Sequence, residues 1–370
     1  MYDFVVVGAG FAGAVCAERL ANGLGKRVLL VERRAHIGGN SYDLTDRHGV
    51  LIHGYGPHIF HTTNKAVWEY LSRFTKWRAY EHRVTASIDG KIVPLPFNLN
   101  TLHALLPPAA ASRMERKLLA RFAEGSHVPV LDLTQEGDSD LRELGDFVYD
   151  KVFLNYTRKQ WGLSPEELSP EVTARVPVRV NRDDRYFRDP FQAVPAEGYT
   201  ALFARLLDSP GVEVRVNTDY RDIESEVRGR PLIFTGMIDE FFRMRYGPLP
   251  YRSLRFHLRN YKRESFQDAG TVNYPNDHAY TRITEYKKLT GQNVSSTTVA
   301  YEYPKPKKTA ADEAYYPILR EESRALYEKY LEDARALSNV WFVGRLASYT
   351  YLNMDQAVAA ALSLVESMDA

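Results

Sequence analysis

Apolar and polar positions follow distinct rhythms along this chain. Tyr2 to Val7 is a β-rich run that leads without a break into Gly8-Ala9-Gly10-Phe11-Ala12-Gly13, helix-forming Ala14 to Leu20 and a second strand, Arg27 to Glu32. Strand, turn, helix and strand in that order predict a βαβ unit. Gly211 to Asn217 alternates and reads as a strand returning to the same sheet. Near the other end, apolar Val340 to Val343 reaches Gly344-Arg345, and a helix starts near Asp355 and runs through Gln356 to Met368.

The middle has other periods. From Leu102 to Trp161 the pattern is helical, broken at Pro107-Pro108 and over acidic Asp132 to Asp140, with helical spacing in Arg113 to Phe122 and Leu141 to Tyr156. Phe153, Tyr156 and Gln160 recur at i, i+3 and i+7 and so share a face, either core or ligand-facing. Val84 to Ile88 turns at Asp89-Gly90 into Lys91 to Val93, a hairpin signal. Ser253 to Leu258, Thr271 to Tyr274, Tyr280 to Glu285 and Thr297 to Tyr303 are further strands. No internal repeat or low-complexity tract is present.

Composition narrows the chemistry. A hydrophobic fraction of 44% supports a substantial core, and 48 basic against 47 acidic residues leave no overall field for nucleic acid or an anionic membrane. The N-terminus lacks a basic region, and nowhere do about 18 apolar residues follow one another, so no membrane span and a cytoplasmic location are expected. The single thiol, Cys16, rules out an internal disulfide, a dithiol redox centre and a thiolate zinc cage. His58 and His61 have no third ligand at a zinc-like spacing, so no metal is expected.

The glycines of the first turn have separate tasks. Gly8 permits the tight turn, Gly10 lets the backbone approach a pyrophosphate, and Gly13 lets helix and sheet pack closely. Glu32, at the end of the second strand, is placed to accept hydrogen bonds from an adenosine ribose. A second glycine-rich turn, Arg33-Arg34-Ala35-His36-Ile37-Gly38-Gly39-Asn40, follows the acid. This pattern resembles the FAD-binding family that includes amine oxidases, protoporphyrinogen oxidase and the Rab GDP-dissociation inhibitors. The resemblance implies that the C-terminal segment returns to the first domain and meets the pyrophosphate and ribityl chain. No second glycine fingerprint follows, so no separate NADPH domain is expected, and NADPH or another reductant could still bind directly over the flavin.

The expected fold is therefore α/β. A discontinuous Rossmann-like βαβ FAD-binding domain (1–83, 190–245 and 318–370) carries an inserted helical cluster (98–175) and a mostly antiparallel β-sheet domain (84–97, 176–189 and 246–317).

Tyr156-Thr157-Arg158-Lys159-Gln160-Trp161-Gly162, Arg175-Val176-Pro177-Val178-Arg179 and Asn181 to Phe187 make the reading more specific. With Gly56-Pro57-His58-Ile59-Phe60-His61-Thr62, Arg282 to Tyr286, Tyr315-Tyr316 and Gly344-Arg345, they closely resemble the UDP-galactopyranose mutase family over essentially the whole chain. That resemblance implies interconversion of UDP-galactopyranose and UDP-galactofuranose. Reduced, non-covalent FAD would act through N5 as a nucleophile at the anomeric carbon while UDP leaves, with no net redox.

It also implies site roles. Phe153 and Tyr156 would hold the uridine, and Arg175 and Arg282 the two phosphates. Trp161, Tyr186, Phe187, Tyr316, Tyr351 and Asn353 would surround the sugar or diphosphate. His58 would sit by the flavin's reactive edge and serve catalysis with Arg175 and Arg282. Gly8, Gly10, Phe11, Ala12, Gly13, Glu32, Arg33, Gly39, Asn40, His58, Ile59, Gly344, Arg345, Asn353, Met354 and Asp355 would bind the cofactor. Without the resemblance, surface ion pairs with Glu171 and Glu285 would be the simpler account of the two arginines. A homo-oligomer is implied as well. The alternatives are an FAD-dependent amine-type oxidase and a dissociation-inhibitor-type binding protein without chemistry.

Overall fold

The computed structural model describes residues 2–167 and 177–369, which fall into two compact units: 1–80, 189–253 and 307–370; and 81–188 and 254–306. The first unit is built on a parallel sheet. Its order is Val212–Arg215, Val28–Val31, Phe4–Val7, Leu232–Phe234 and Val340–Phe342, every neighbouring pair parallel. Gly211 to Asn217 thus supplies the expected return strand, at the sheet's edge.

Helix Phe11–Glu18 is buried on every side, because its small residues let it lie close to the helix Met354–Asp369, where Val358, Ala361 and Val365 complete the core. The charge in this core, Glu18, is matched by Arg19 and by the Tyr70 hydroxyl at 2.7 Å. Burying a carboxylate so deeply is tolerable only with such partners. A smaller antiparallel sheet joins Phe60–Thr62, Phe191–Pro195 and Trp77–Ala79.

The second unit carries the long antiparallel strands. Tyr251–Tyr261, which begins in the first unit, is followed in the sheet by Thr297–Pro306, Arg282–Glu285, Thr271–Asn273, Val84–Ile88 and Lys91–Leu95. Thr271–Asn273 pairs in parallel with Val84–Ile88, between neighbours Arg282–Glu285 and Lys91–Leu95 that run antiparallel to them. Asp89 and Gly90 both take positive φ, 50° and 78°, as a two-residue hairpin turn with the strands' own twist requires.

Helices Leu99–Leu105, Pro108–Arg121, Ser139–Val148 and Asn155–Trp161 belong to this same unit. The anticipated separation of a helical cluster from a sheet domain is not what is observed. Ala86, Ile88 and Val93 of the hairpin share one apolar core with Leu102, Met114, Leu144, Val148 and Phe153 of the helices. Neither layer buries its apolar face without the other.

Candidate active site

The carboxyl ends of the parallel strands in the first unit open onto a cavity of about 340 Å³. Ligands of open parallel sheets bind at this end, where the loops diverge. Gly8, at φ +101°, ends the first strand, and a Cβ there would meet the Thr235 hydroxyl. A Cβ on Gly13 would lie 1.9 Å from the Gly8 carbonyl oxygen, and one on Gly39 2.8 Å from the Gly10 Cα. The two glycine turns therefore touch, and bare backbone forms the cavity wall between them. Helix Phe11–Glu18 has no side-chain cap at its start, so its first N–H groups remain available for an anion.

Glu32 lines this cavity and is already engaged: it accepts from the Ala9 amide at 3.0 Å and from the Arg34 amide at 2.9 Å. Each carboxylate oxygen has more than one acceptor direction, so one acid can both brace the turn and receive ribose hydroxyls.

Of the anticipated cofactor residues, Gly8, Gly10, Phe11, Ala12, Glu32, Arg33, Gly39, Asn40, His58, Gly344, Arg345, Asn353 and Met354 line the cavity. Gly13, Ile59 and Asp355 are not among its lining; Gly13 packs behind the turn and Ile59 is buried. Asp355 instead accepts from Thr62 Oγ1 at 2.8 Å, and its other oxygen is buried with no partner among the described residues. Sequence reasoning missed Thr218 to Arg221 and Thr235 to Met237, which also line the cavity. Their signal was position alone, just past the ends of two strands of this sheet.

His58 is held in one state. Its Nδ1 lies 2.8 Å from the Gly56 carbonyl and so carries the proton, while its backbone N–H donates to His53 Nδ1 at 2.9 Å. Burial, then the neighbouring His53, push the His58 ring down to about 3, and burial takes His53 to about 4. Both rings are neutral at pH 7, and Nε2 of His58 is an acceptor.

The sign of the resulting pH dependence is fixed. Below the ordinary value of 6.5 the unfolded chain binds protons that the folded chain refuses, so this contribution is full above pH 6.5 and is lost as pH falls toward 4 and then 3. Each histidine steepens the fall by up to about 1.4 kcal/mol per pH unit. Thermal unfolding midpoints should therefore drop between pH 6.5 and 4, and His53→Gln should flatten that slope. An unchanged slope in the variant would remove His53 from the account.

His61, the other histidine of this loop, has Nδ1 3.0 Å from Asp189 Oδ2. Among the described residues, no group of three or more His, Cys, Asp or Glu is arranged to hold a metal ion, and no helix is long and apolar enough to cross a membrane.

At the cavity wall, Arg345 lies beside a pair of tyrosines. Its guanidinium carbon is 5.4 Å from the Tyr316 ring and 5.2 Å from the Tyr351 ring, and those rings stack at 5.3 Å. Donation to the carbonyls of Leu352 and Tyr315 fixes its plane. Tyr316 and Tyr351 are thus grouped at one cation, and Asn353 lines the same cavity as Arg345.

In the second unit, Tyr156 meets Arg282 directly: the guanidinium donates to the phenol oxygen and lies 5.9 Å from the ring. Burial raises the Tyr156 hydroxyl to about 12 against the opposing pull of Arg282, so it remains protonated. Glu302, 4% exposed, stands 3.5 Å from Arg282 Nε. The ion-pair partner is therefore Glu302, across the strand pair, rather than Glu285, which caps the 265–267 loop instead.

Tyr186 and Phe187 are edge-to-face at 5.0 Å, and both pack on His82. Trp161 ends the helix Asn155–Trp161, half-buried. Phe153 is placed differently. It lies within a π-helical turn, Tyr149–Leu154, and is 1% exposed in the core beside Tyr149, without a free face for a base. Arg175 lies outside the described residues.

A family model for UDP-galactopyranose mutase matches residues 151–351, and one for an NAD(P)-binding Rossmann-like domain matches 6–74. A probable UDP-galactopyranose mutase of Klebsiella pneumoniae is 36% identical over 98% of this chain and 94% of that protein. The chain belongs to the UDP-galactopyranose mutase family. A dTDP-fucopyranose mutase of Escherichia coli is 35% identical over 99% of this chain and 98% of its own length. Among solved structures, reduced UDP-galactopyranose mutase matches with a TM-score of 0.77 at 18% identity, covering 100% of this chain and 94% of that one.

As a member of this family the chain is an isomerase, and its cofactor is FAD. The touching glycine turns, the uncapped helix start and the Glu32 carboxylate fit that dinucleotide. An oxidase relative, the (S)-6-hydroxynicotine oxidase of Paenarthrobacter nicotinovorans, matches only 26% of this chain.

Proposed function

We propose that this protein interconverts UDP-galactopyranose and UDP-galactofuranose, with FAD active in its reduced form. The observation that carries this reading is the 36% identity to a probable UDP-galactopyranose mutase over 98% of the chain. When bound and reduced, FAD supplies a nucleophilic N5 for the anomeric carbon, so the ring contracts without net oxidation.

The chain's own residues have distinct work. Arg282 neutralises the pyrophosphate, and its planar fork suits phosphate oxygens better than a lysine would. Glu302 and the Tyr156 hydroxyl hold that fork in place. Arg175 is proposed as the second guanidinium on sequence grounds. Together they would keep UDP close after departure, so that its return is effectively intramolecular. His58, neutral and with Nε2 an acceptor, can receive a hydrogen bond at the cavity but holds no proton there to give. The stacked Tyr316 and Tyr351 offer an aromatic wall and two hydroxyls to a sugar.

The test is chromatography of UDP-sugars after incubating the yellow protein with UDP-galactofuranose, with and without dithionite. UDP-galactopyranose should form only after reduction; none with fully reduced, bound FAD would overturn the reading. Tyr316→Phe should keep the stack and lose one hydroxyl, lowering kcat/KM about five- to tenfold, the value of a neutral hydrogen bond of ~1 kcal/mol. An unchanged kcat/KM would show that the hydroxyl has no partner in the reaction.

The similarity to dTDP-fucopyranose mutase supports a second substrate pair for the same chemistry. Offering the dTDP-sugar in competition separates the two by their kcat/KM ratio.

A further inference from the structure

Arg34 follows the ribose-binding acid by two positions, and neither glycine turn accounts for its surroundings. Its side chain is 15% exposed. Nη2 donates to Asn40 Oδ1 at 2.9 Å, Nε donates to Glu313 Oε1 at 3.3 Å, and Nη2 also reaches Glu313 Oε2. The Tyr55 ring lies 4.4 Å from the guanidinium carbon, near enough for a cation–π contact. The Tyr55 hydroxyl meets His36 Nε2 at 2.7 Å, and His36 in turn stacks on Tyr42 at 3.7 Å. Burial alone would raise the Glu313 carboxyl, but hydrogen bonding and charge from Arg34 outweigh it and hold the group below its ordinary value.

Four segments meet at this one cation: the end of the second strand, the second glycine turn, the loop that leads to His58, and the stretch just before Tyr315-Tyr316. Glu313 stands two residues ahead of Tyr315, whose carbonyl accepts from Arg345. A side-chain amide accepts at one end and donates at the other, whereas a guanidinium only donates. With Arg34 beside it, Asn40 must turn Oδ1 toward the cation and its NH2 away, because the flipped amide would set donor against donor. Asn40 also lines the dinucleotide cavity.

We infer that Arg34, braced by Glu313 and Tyr55, is a positioning residue that fixes the Asn40 amide with its NH2 presented to the phosphate and ribityl stretch of the cofactor, and ties that contact to the Tyr315-Tyr316 segment. This rests on FAD as the cofactor and is independent of which sugar nucleotide is turned over. A lysine cannot take the place of Arg34. One ammonium lacks the planar fork that serves Asn40, Glu313 and the Tyr55 face together.

The experiment dilutes purified holoenzyme and follows FAD release by its fluorescence, without substrate, so its failure and the failure of the mutase reading are separate results. Arg34→Met, Arg34→Lys and Asn40→Ala should each release FAD at least tenfold faster, and Glu313→Gln should fall between them and wild type. Arg34→Met combined with Asn40→Ala should be no faster than Asn40→Ala alone, since both remove the same contact. A wild-type rate for Arg34→Met would overturn the inference, as would a double variant whose effect is the product of the two singles. Arg34→Lys keeps charge and stem, so a wild-type rate there would show that charge alone is needed and would overturn it too.

Discussion

Gly13→Ala should yield a colourless, poorly stable protein. The added methyl would sit 1.9 Å from the Gly8 carbonyl oxygen, 3.1 Å from its carbon and 3.2 Å from Val6 Cγ1. Two of those atoms are backbone, so no side chain can swing aside. Moving the helix instead presses Phe11–Glu18, buried throughout, into Val358 and Ala361. Overpacking of this kind costs about 1–3 kcal/mol and sometimes more, and any relief opens the turn that receives the pyrophosphate. Gly10→Ala is the contrasting case: its methyl has no neighbour nearer than 3.7 Å, so the fold should survive while the methyl intrudes on the phosphates. Flavin absorbance and the unfolding midpoint should both fall in Gly13→Ala, and absorbance alone in Gly10→Ala. A yellow Gly13→Ala protein with a wild-type midpoint would contradict this packing account.

Arg282→Met should retain FAD and lose turnover. A charge-assisted contact to phosphate is worth roughly 1.5–3 kcal/mol, so kcat/KM should fall about ten- to hundredfold. The same change leaves Glu302 buried without its cation, which lowers stability for a separate reason. Adding Glu302→Gln discriminates: the double variant should recover the unfolding midpoint while kcat/KM stays low. Recovery of turnover together with stability would make Arg282 a structural partner of Glu302 and nothing more.

What the sequence could reveal depended on how local the cause was. The Gly8 to Gly13 turn, its flanking strands and Glu32 were legible because their spacing is set within one βαβ unit. The Asp89-Gly90 hairpin was legible for the same reason, since φ > 0 is needed at adjacent positions. The union of helices and sheet in one unit was not, because periodicity shows that Val93, Leu102 and Val148 are apolar but not that they meet. Phe153 illustrates a finer loss. Ideal α-helical spacing puts it on a face with Tyr156, but the π-helical turn at 149–154 inserts a residue, and Phe153 enters the core. Thr218 and Thr235 became visible only once strand order was known, and Glu313 once it was seen against Arg34, 279 positions earlier.

The parallel sheet has a further consequence for how the protein is made. Its strands come from the beginning, middle and end of the chain, with Val340–Phe342 at one edge, and the helix Met354–Asp369 closes the core over Phe11–Glu18. At about 5–20 residues per second of synthesis, the fingerprint at Gly8 emerges tens of seconds before the strand and helix that complete its fold. A growing chain therefore carries a recognisable nucleotide motif long before it has a site that can keep a nucleotide, and flavin capture waits for the strand Val340–Phe342 and the helix Met354–Asp369.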